Sequence, residues 1–326
     1  MKLQQLRYIW EIAHHDLNVS ATAQSLYTSQ SGISKQMRLL EEELGVEIFS
    51  RSGRHLIRIT PAGKAILRTA GEILYKVENI KKIAEEFSDE QEGSLSLATS
   101  YTQARYVLPR IISNFSERHP EVALHIHQGT PSQISYMMAE GSVDLAIVTA
   151  AEEVELFSNL IMMPCYQWNH CIIIPKNHPL CQLPQVSLPA MAKYPIVTYV
   201  SGFTGRSKLD GAFFSQKISP KIVCTAVDAD VIKTYVRLGL GVGIIAEMAY
   251  SSESDSDLVA LDASHLFKPS ITAIGFRRGT FLRGFMYEFI QDFAPHLKKA
   301  VVNEAYSCTS KLERDKLFEH LQLPNY

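Results

Sequence analysis

Residues 28–45 read TSQSGISKQMRLLEEELG, and this stretch decides how the first part of the chain folds. Apolar side chains recur in it at offsets of four, three and four residues, at Ile33, Met37, Leu40 and Leu44. This spacing predicts an amphipathic helix that turns one apolar stripe toward a core. Thr28 or Ser29 is a suitable N-cap, and Gly45 is typical of a helix end.

The face opposite the stripe is polar and basic at its start and acidic at its end. Ser31, Ser34, Lys35 and Arg38 come first, and three glutamates follow at 41–43. The free N–H groups at a helix start attract phosphate, and Ser, Gln and Lys side chains hydrogen-bond to bases in the major groove. We interpret this segment as a DNA-recognition helix, although a capped surface helix explains the pattern of this one helix equally well.

The flanking residues favour DNA binding. Upstream, LQQLRYIWEIAHH predicts a first helix and ATAQSLY a short second helix with Ser20 as its N-cap, which gives a helix-turn-helix order. Downstream, IFSRSGRHLIRITPAG predicts a hairpin that ends at Pro61, and residues 51–68 contain five basic residues and no acid. Residues 1–61 are therefore predicted to form a winged helix-turn-helix domain. Its expected DNA contacts are Thr28, Ser29, Gln30, Ser31, Ser34, Lys35, Arg38, Arg51, Arg54 and Arg58.

Residues 62–88 predict a long helix with a heptad pattern. Its apolar positions alternate in spacings of four and three, at Ile66, Ala70, Ile73, Val77, Ile80, Ala84 and Phe87. A repeat of 3.5 residues over three heptads is typical of a coiled coil, so this linker helix is expected to form a homodimer. One amphipathic helix packed on a core is the alternative. The acidic run SDEQEGS at 88–94 predicts a linker.

The remaining chain alternates short apolar strands with helices. Residues from Leu95 follow a βαβαβ order and a second such unit starts at Cys171, so both predict parallel sheets with crossover helices. We expect an α/β domain at 93–294 with two subdomains, about 93–163 with 269–294, and about 164–268. The residues at 295–326 read as a polar helical tail.

Hydroxyl groups follow two of the predicted strands at the cleft between these subdomains. ATSYTQAR and YVSGFTGRS both place Ser and Thr at a helix start, and Thr149 ends a third strand on the same rim. Hydroxyls and free backbone N–H groups that converge in this way form a site for a small anion, although plain N-capping explains many such residues. The candidate residues are Ser100, Thr102 and Gln103 in the first segment, Ser201, Thr204 and Ser207 with Arg206 in the second, and Thr149.

The ordered motifs LRYI, SATAQSLYTSQSGISKQMRLLEEELGVEIFSR and TPAG resemble the DNA-binding domain of LysR-type transcriptional regulators. Ser31 stands where much of that family has proline. YTQARYVLP, GFTGRS and DADVIKTYVRLGLGVG are similar to the effector domain of those members that activate cysteine biosynthesis genes, except that Ser100 replaces a threonine.

The resemblance implies a multidomain regulator: a winged helix-turn-helix, a coiled-coil linker helix and a periplasmic-binding-protein-like α/β effector domain. It also implies sulfate or an acetylated serine as effector at Ser100, Thr102, Gln103, Thr149 and Thr204, with no cofactor. The expected partners are promoter DNA, further copies of the chain in a dimer or tetramer, and RNA polymerase.

Composition and motif content limit the classes of protein to which the chain can belong. The chain of 326 residues has 46% apolar and 20% charged residues, a net charge of −2 and no apolar run of signal-peptide or membrane-span length, so we expect a cytoplasmic protein. Its five dispersed cysteines predict neither disulfides nor a zinc site.

Other functions are less well supported by the sequence. No P-loop or nucleophile–base pair indicates an enzyme, and a transport-type solute-binding protein would lack the winged domain. A sulfonate-use regulator, or a redox sensor acting through Cys171 and Cys181, remains open within the family.

Overall fold

The computed structural model describes residues 1–53, 55–87, 92–149, 159–203 and 205–326. They divide into two compact units, Met1–Phe87 and Ser88–Tyr326. Within the described ranges, no helix combines the length and apolar character that a membrane span needs.

The first unit is a helical domain with one hairpin. Its helices are α1 (Leu3–His14), α2 (Val19–Ser25), α3 (Gln30–Leu44) and α4 (Pro61–Glu86). Its strands, β1 (Phe49–Ser52) and β2 (His55–Ile59), pair antiparallel as the predicted hairpin. This is the order of a winged helix-turn-helix.

The helix ends follow local hydrogen-bonding chemistry. Ser29 caps α3 by accepting from the backbone N–H of Gly32 at 3.1 Å, and Gly45 ends the helix in the left-handed region at φ 68°, which confirms both expectations. The predicted cap of α2 is wrong. Asn18, not Ser20, caps that helix, because its side-chain oxygen accepts from the N–H groups of Ser20 and Ala21.

The apolar stripe of α3 faces the core as predicted for three of its four members. Ile33, Met37 and Leu40 are buried in the core that α3 shares with α1 and α2, whereas Leu44 is exposed at the helix end. The first half of α4 packs on the same core. At Gly71 a Cβ atom would lie 2.3 Å from the ring of Trp10, so only glycine permits this approach of α4 to α1.

The second unit contains two five-stranded sheets. The first has the order β4-β3-β5-β12-β6 and consists of Val122–Gln128, Gly93–Thr99, Leu145–Thr149, Ser270–Arg277 and Leu160–Trp168. The second has the order β11-β7-β10-β8-β9 and consists of Leu258–Asp262, His170–Pro175, Val242–Ala246, Ile196–Tyr199 and Ile222–Ala226.

Both sheets are mixed: the first βαβαβ unit is parallel as predicted, whereas the second is parallel only among β8, β9 and β10, so its prediction is wrong for β7. Strands β4, β3 and β5 run parallel, but β12 lies antiparallel between β5 and β6. In the second sheet, β7 pairs antiparallel with β10 and β11, while β8 is parallel to β9 and β10. The sequence pattern of strand and helix does not fix the direction of a strand that returns from a distant part of the chain.

Helices cover both sheets, and a helical segment follows them. The helices are α5 (Leu108–Arg118), α6 (Pro131–Glu140), α7 (Leu188–Met191), α8 (Arg206–Ser215), α9 (Ala229–Arg237), α10 (Gly284–Phe293), α11 (Lys299–Ser307) and α12 (Lys311–Phe318). Val302 and Ala305 of α11 are buried in the core of the first sheet. Tyr326 donates its backbone N–H to Gln167 of β6, so the predicted tail is part of this unit.

Candidate functional site

The polar face of α3 forms a shallow surface depression. It is lined by Ser31, Ser34, Lys35, Arg38, Leu39 and Glu42. These include the four α3 residues predicted to face DNA after the N-terminal turn, and the side chains of Lys35 and Arg38 are exposed. The structure therefore brings the predicted basic and hydroxyl groups onto one accessible surface at the start of the helix.

The start of α3 presents further hydroxyls. Thr28, Ser29 and Gln30 are exposed, but the Ser29 hydroxyl oxygen is engaged as the helix cap. The Ser31 hydroxyl lies 3.4 Å from that of Ser29 and stays exposed. Ser31 thus adds a hydroxyl to the surface without interrupting the cap.

The hairpin arginines differ in their surroundings. Arg51 forms an ion pair with Glu41 of α3, whose other carboxylate oxygen accepts from the backbone N–H groups of Ile48 and Phe49 at 2.8 and 3.2 Å. Arg51 therefore attaches the hairpin to α3. Arg58 is exposed and donates to Ser50, and Arg54 lies outside the described residues.

Tyr27, in the turn before α3, is a feature that the sequence analysis did not single out. Its side chain is 99% exposed, and its backbone has φ 49°, a region that bulky residues rarely adopt. An aromatic residue among small polar ones was the available signal.

A cavity in the second unit collects most of the predicted effector contacts. It is lined by Ser100, Tyr101, Thr102, Gln103, Thr149, Trp168, Tyr199, Phe203, Val227 and Ala246. Four of the five predicted residues are among them, and the fifth, Thr204, lies outside the described residues. The lining comes from both sheets, because Thr149 and Trp168 end strands of the first while Tyr199 and Ala246 end strands of the second.

The Gln103 side chain is held from inside the protein. It is 1% exposed, and its amide nitrogen donates to the hydroxyl oxygen of Thr272 at 3.2 Å while its amide oxygen accepts from the hydroxyl of Tyr166. Trp168 also donates to Thr272, at 3.1 Å. Sequence reasoning did not select Tyr166, Trp168 and Thr272 as site residues, because strand pairing brings them together around Gln103.

The turn that follows the predicted effector residue Thr102 also joins the two sheets. Residues Gln103–Val107 form one turn of π-helix, a rare local geometry that occurs often at functional sites. Tyr106 donates its hydroxyl to Asp230 of α9 at 2.7 Å, and Arg105 pairs with the same carboxylate. Lys233 bridges Asp230 and the buried Asp255, both at 3.0 Å. Arg105 and Tyr106 therefore connect the turn that follows Thr102 to α9.

A buried histidine lies beside the loop that precedes α8. His170 is 2% exposed, and neither ring nitrogen has a hydrogen-bond partner among the described residues. Burial, with a smaller effect of Lys208, lowers its pKa to about 4. A Cβ atom at Gly205 would lie 2.1 Å from its ring nitrogen, so the loop packs directly on the imidazole.

Comparison with known proteins extends these observations. The family model described as "Bacterial regulatory helix-turn-helix protein, lysR family" matches residues 3–64, and "LysR substrate binding domain" matches residues 88–298. The chain is 53% identical to the HTH-type transcriptional regulator CysB of Haemophilus influenzae over 99% of both chains. It is 46% identical to the HTH-type transcriptional regulator SsuR of Burkholderia cenocepacia over 93% of this chain and 97% of that one.

A solved structure agrees with the sequence relatives. The second unit is similar to the cofactor-binding domain of the Cbl transcriptional regulator, with a TM-score of 0.63, 36% identity, and coverage of 68% of this chain and 97% of that one. The family models and the full-length relatives agree with the helix-turn-helix of the first unit, and the Cbl structure agrees with the fold of the second. The chain belongs to the LysR family of DNA-binding transcriptional regulators and is not an enzyme.

Proposed function

We propose that this regulator activates genes of sulfur assimilation and cysteine biosynthesis in response to a small anionic effector, N-acetylserine, O-acetylserine or sulfate, bound in the cavity of the second unit. The observation that carries the proposal is the convergence of Ser100, Thr102 and Thr149 on one cavity lined from both sheets. The full-length similarity to CysB supports the choice of genes. Regulation of sulfonate use is the second candidate, supported by the similarity to Cbl.

Promoter DNA is proposed to bind at the start of α3 and at the hairpin. Ser31, Ser34, Lys35 and Arg38 provide donors on one face, and the helix start attracts phosphate. From the hairpin, Arg58 and Arg54 would contact the phosphate backbone of the DNA beside the recognition site. Arg51 would mainly hold the hairpin against α3 through its ion pair with Glu41.

The cavity offers hydroxyl donors to an anion, and Thr102 is the sharpest test. Replacing Thr102 by alanine removes one hydrogen bond to a charged group, which is expected to weaken effector binding by roughly 10- to 100-fold. Calorimetry with N-acetylserine and with sulfate measures this effect. Thr225→Ala, at an exposed threonine of β9, is the matched control and should bind as wild type does. Equal affinities of Thr102→Ala and wild type, or the binding of neither ligand, would disprove the effector proposal.

The outer half of α4 is proposed to form the coiled-coil dimer contact. Ile80 is 65% exposed and Phe87 84% exposed, whereas Ile66, Ala70 and Ile73 are used by the core of their own unit. The heptad therefore has two roles along its length. We also propose, from the family resemblance alone, that two dimers associate into a tetramer and that the regulator contacts RNA polymerase.

Charge at the proposed dimer seam should separate the subunits. Ile80→Lys places a charged group in the apolar seam of the proposed dimer, where it would lose its hydration without a partner, so we expect the dissociation constant to rise at least tenfold. Sedimentation over a concentration series measures it, with Lys76→Ala, an exposed substitution on the same helix, as control. A dimer that is as tight in Ile80→Lys as in wild type argues against this contact.

A mechanism follows from the turn at Gln103–Val107. Effector contact with Thr102 would shift the ties of Arg105 and Tyr106 to α9, and so the relative position of the two sheets. Within a dimer, such a shift would alter the spacing or bending of the bound promoter.

Thiol redox sensing receives less support. Burial raises the pKa of the Cys171 thiol, which disfavours the reactive thiolate. Cys181 is half-buried and packs on the apolar core of the second sheet.

A further inference from the structure

A strap formed by residues 324–326 lies along the edge of the first sheet, against its outermost strand β6. The backbone N–H of Gln167 donates to the carbonyl oxygen of Pro324 at 2.9 Å, and the carbonyl oxygen of Gln167 accepts from the N–H of Tyr326, also at 2.9 Å. Asn325 is thereby paired in parallel with Gln167. Proline at 324 favours this extended course, because it fixes its own φ and keeps the preceding residue out of the helical region.

The Tyr326 side chain connects the strap to the π-helical turn at Gln103–Val107. Its ring packs on that of Tyr166, with 5.0 Å between the ring centroids and 34° between the planes. Tyr166 in turn donates its hydroxyl to the amide oxygen of Gln103, at the start of the turn. The Tyr326 hydroxyl donates to the carbonyl oxygen of Tyr106 at 3.3 Å. Tyr326 therefore contacts the second half of the turn directly and its beginning through Tyr166.

The turn depends on side chains from elsewhere in the fold, because regular helical bonding is interrupted there. Pro109 has no backbone N–H, and in a continuous α-helix its ring would clash with the carbonyl group four residues earlier, that of Arg105. The π-helical turn lies at this interruption. Gln103 donates to a hydroxyl of β12, and Tyr106 donates to a carboxylate of α9. The strap supplies a third support, from the edge of the first sheet.

The strap can leave the sheet without unfolding of the core. All three of its residues are exposed, and the Tyr326 side chain remains 49% exposed although it covers Tyr166, which is 4% exposed. Segments with exposed backbone hydrogen bonds and little buried surface open locally at low free energy. When the strap leaves, Tyr166 loses its cover and Tyr106 loses a hydrogen-bond donor.

We infer that Tyr326 is a positioning residue for effector binding, and that the docked strap holds Gln103 and the turn after Thr102 in the arrangement that the cavity needs. The inference rests on the proposed effector function of this cavity. The coupling must be reciprocal, because a ligand that binds more tightly to the docked form stabilises that form by the same factor. A segment that serves the fold alone would open equally often with and without effector.

The first test measures binding of sodium sulfate and of N-acetylserine to the full chain by calorimetry. Tyr326→Ala removes both the ring and the hydroxyl, and is expected to weaken effector binding roughly tenfold. Tyr326→Phe keeps the ring over Tyr166 and deletes only the hydroxyl, so its affinity should lie between that of Tyr326→Ala and that of wild type. The matched control is Tyr136→Ala, which changes another exposed tyrosine of the second unit, outside the residues that line the cavity.

The second test measures amide hydrogen exchange of the wild-type protein with and without saturating sulfate or N-acetylserine. The amides of Tyr326 and Gln167 form the bonds that break when the strap leaves. Effector is expected to slow their exchange by about the factor in affinity that a variant ending at Leu323 loses. Because this test uses wild type, it stays valid if Tyr326→Ala does not fold.

The outcomes separate the strap from the effector site. If wild type binds effector and Tyr326→Ala binds it equally tightly, the role of Tyr326 is wrong and the effector function stands. An exchange rate of the Tyr326 amide that is the same with and without bound effector has the same meaning. If wild type binds neither sulfate nor N-acetylserine, the proposed effector function fails and the inference fails with it.

Discussion

Replacing Lys35 by alanine is expected to lower affinity for promoter DNA by roughly 10- to 100-fold per subunit contact without changing effector affinity. Lys35 is exposed in the depression on the polar face of α3, beside Ser31, Ser34 and Arg38. Its charge lies in the N-terminal half of the helix, away from the glutamates at its end. In the proposed complex this lysine would contact either a base edge or a phosphate, and either interaction would contribute about 1–3 kcal/mol.

Titration of a labelled promoter duplex at several salt concentrations measures both the affinity and the kind of contact. If Lys35 neutralises a phosphate, the slope of log affinity against log salt becomes shallower by about one unit per contact. If it reads a base, the loss is confined to the specific duplex. Lys193→Ala, an exposed lysine of the second unit, is the control. Unchanged DNA affinity in Lys35→Ala would rule out α3 as the recognition helix.

Features encoded within one helix or turn could be predicted from the sequence. The stripe of Ile33, Met37 and Leu40, the cap at Ser29 and the end at Gly45 each depend on neighbours only a few residues away. The N-cap of α2 was harder to predict, because serine and asparagine are both favoured at this position. The turn after α1 ends at Asn18, which makes Asn18 and not Ser20 the cap.

Features that depend on distant pairing could not be predicted. Four effector candidates lie together as expected because each follows a strand, but Thr272 arrives on β12, more than 100 residues later and antiparallel to β5. The ion pair of Arg51 with Glu41 could not be predicted either, since the sequence of a basic hairpin does not indicate which arginine pairs with a carboxylate of the same chain and which stays exposed. Likewise, the heptad of α4 does not reveal that its first half belongs to the core of its own unit.

Acidification from pH 7 to pH 5 is expected to destabilise the second unit by about 2 kcal/mol through His170 alone. Burial lowers the pKa of this histidine from 6.5 to about 4 in the folded protein. Above pH 6.5 the imidazole is neutral in both states and contributes no pH dependence. Below it the unfolded chain binds a proton that the folded protein does not, so stability falls by about 1.4 kcal/mol per pH unit until the pH approaches the folded pKa.

The pH range in which stability is lost distinguishes the effect of His170 from that of the carboxylates. The ion-paired Asp230 and Asp255 have lowered pKa values in the folded protein, so their contribution is lost only at lower pH, below about 5. Urea unfolding followed by Trp168 fluorescence, in a Trp10→Phe background, reports on the second unit. His170→Gln removes the titrating group and should be about 2 kcal/mol less sensitive to this change of pH, while His125→Gln, at an exposed histidine, should behave as wild type does. Equal losses in wild type and His170→Gln would mean that the imidazole is protonated, and therefore hydrated or paired, in the folded protein.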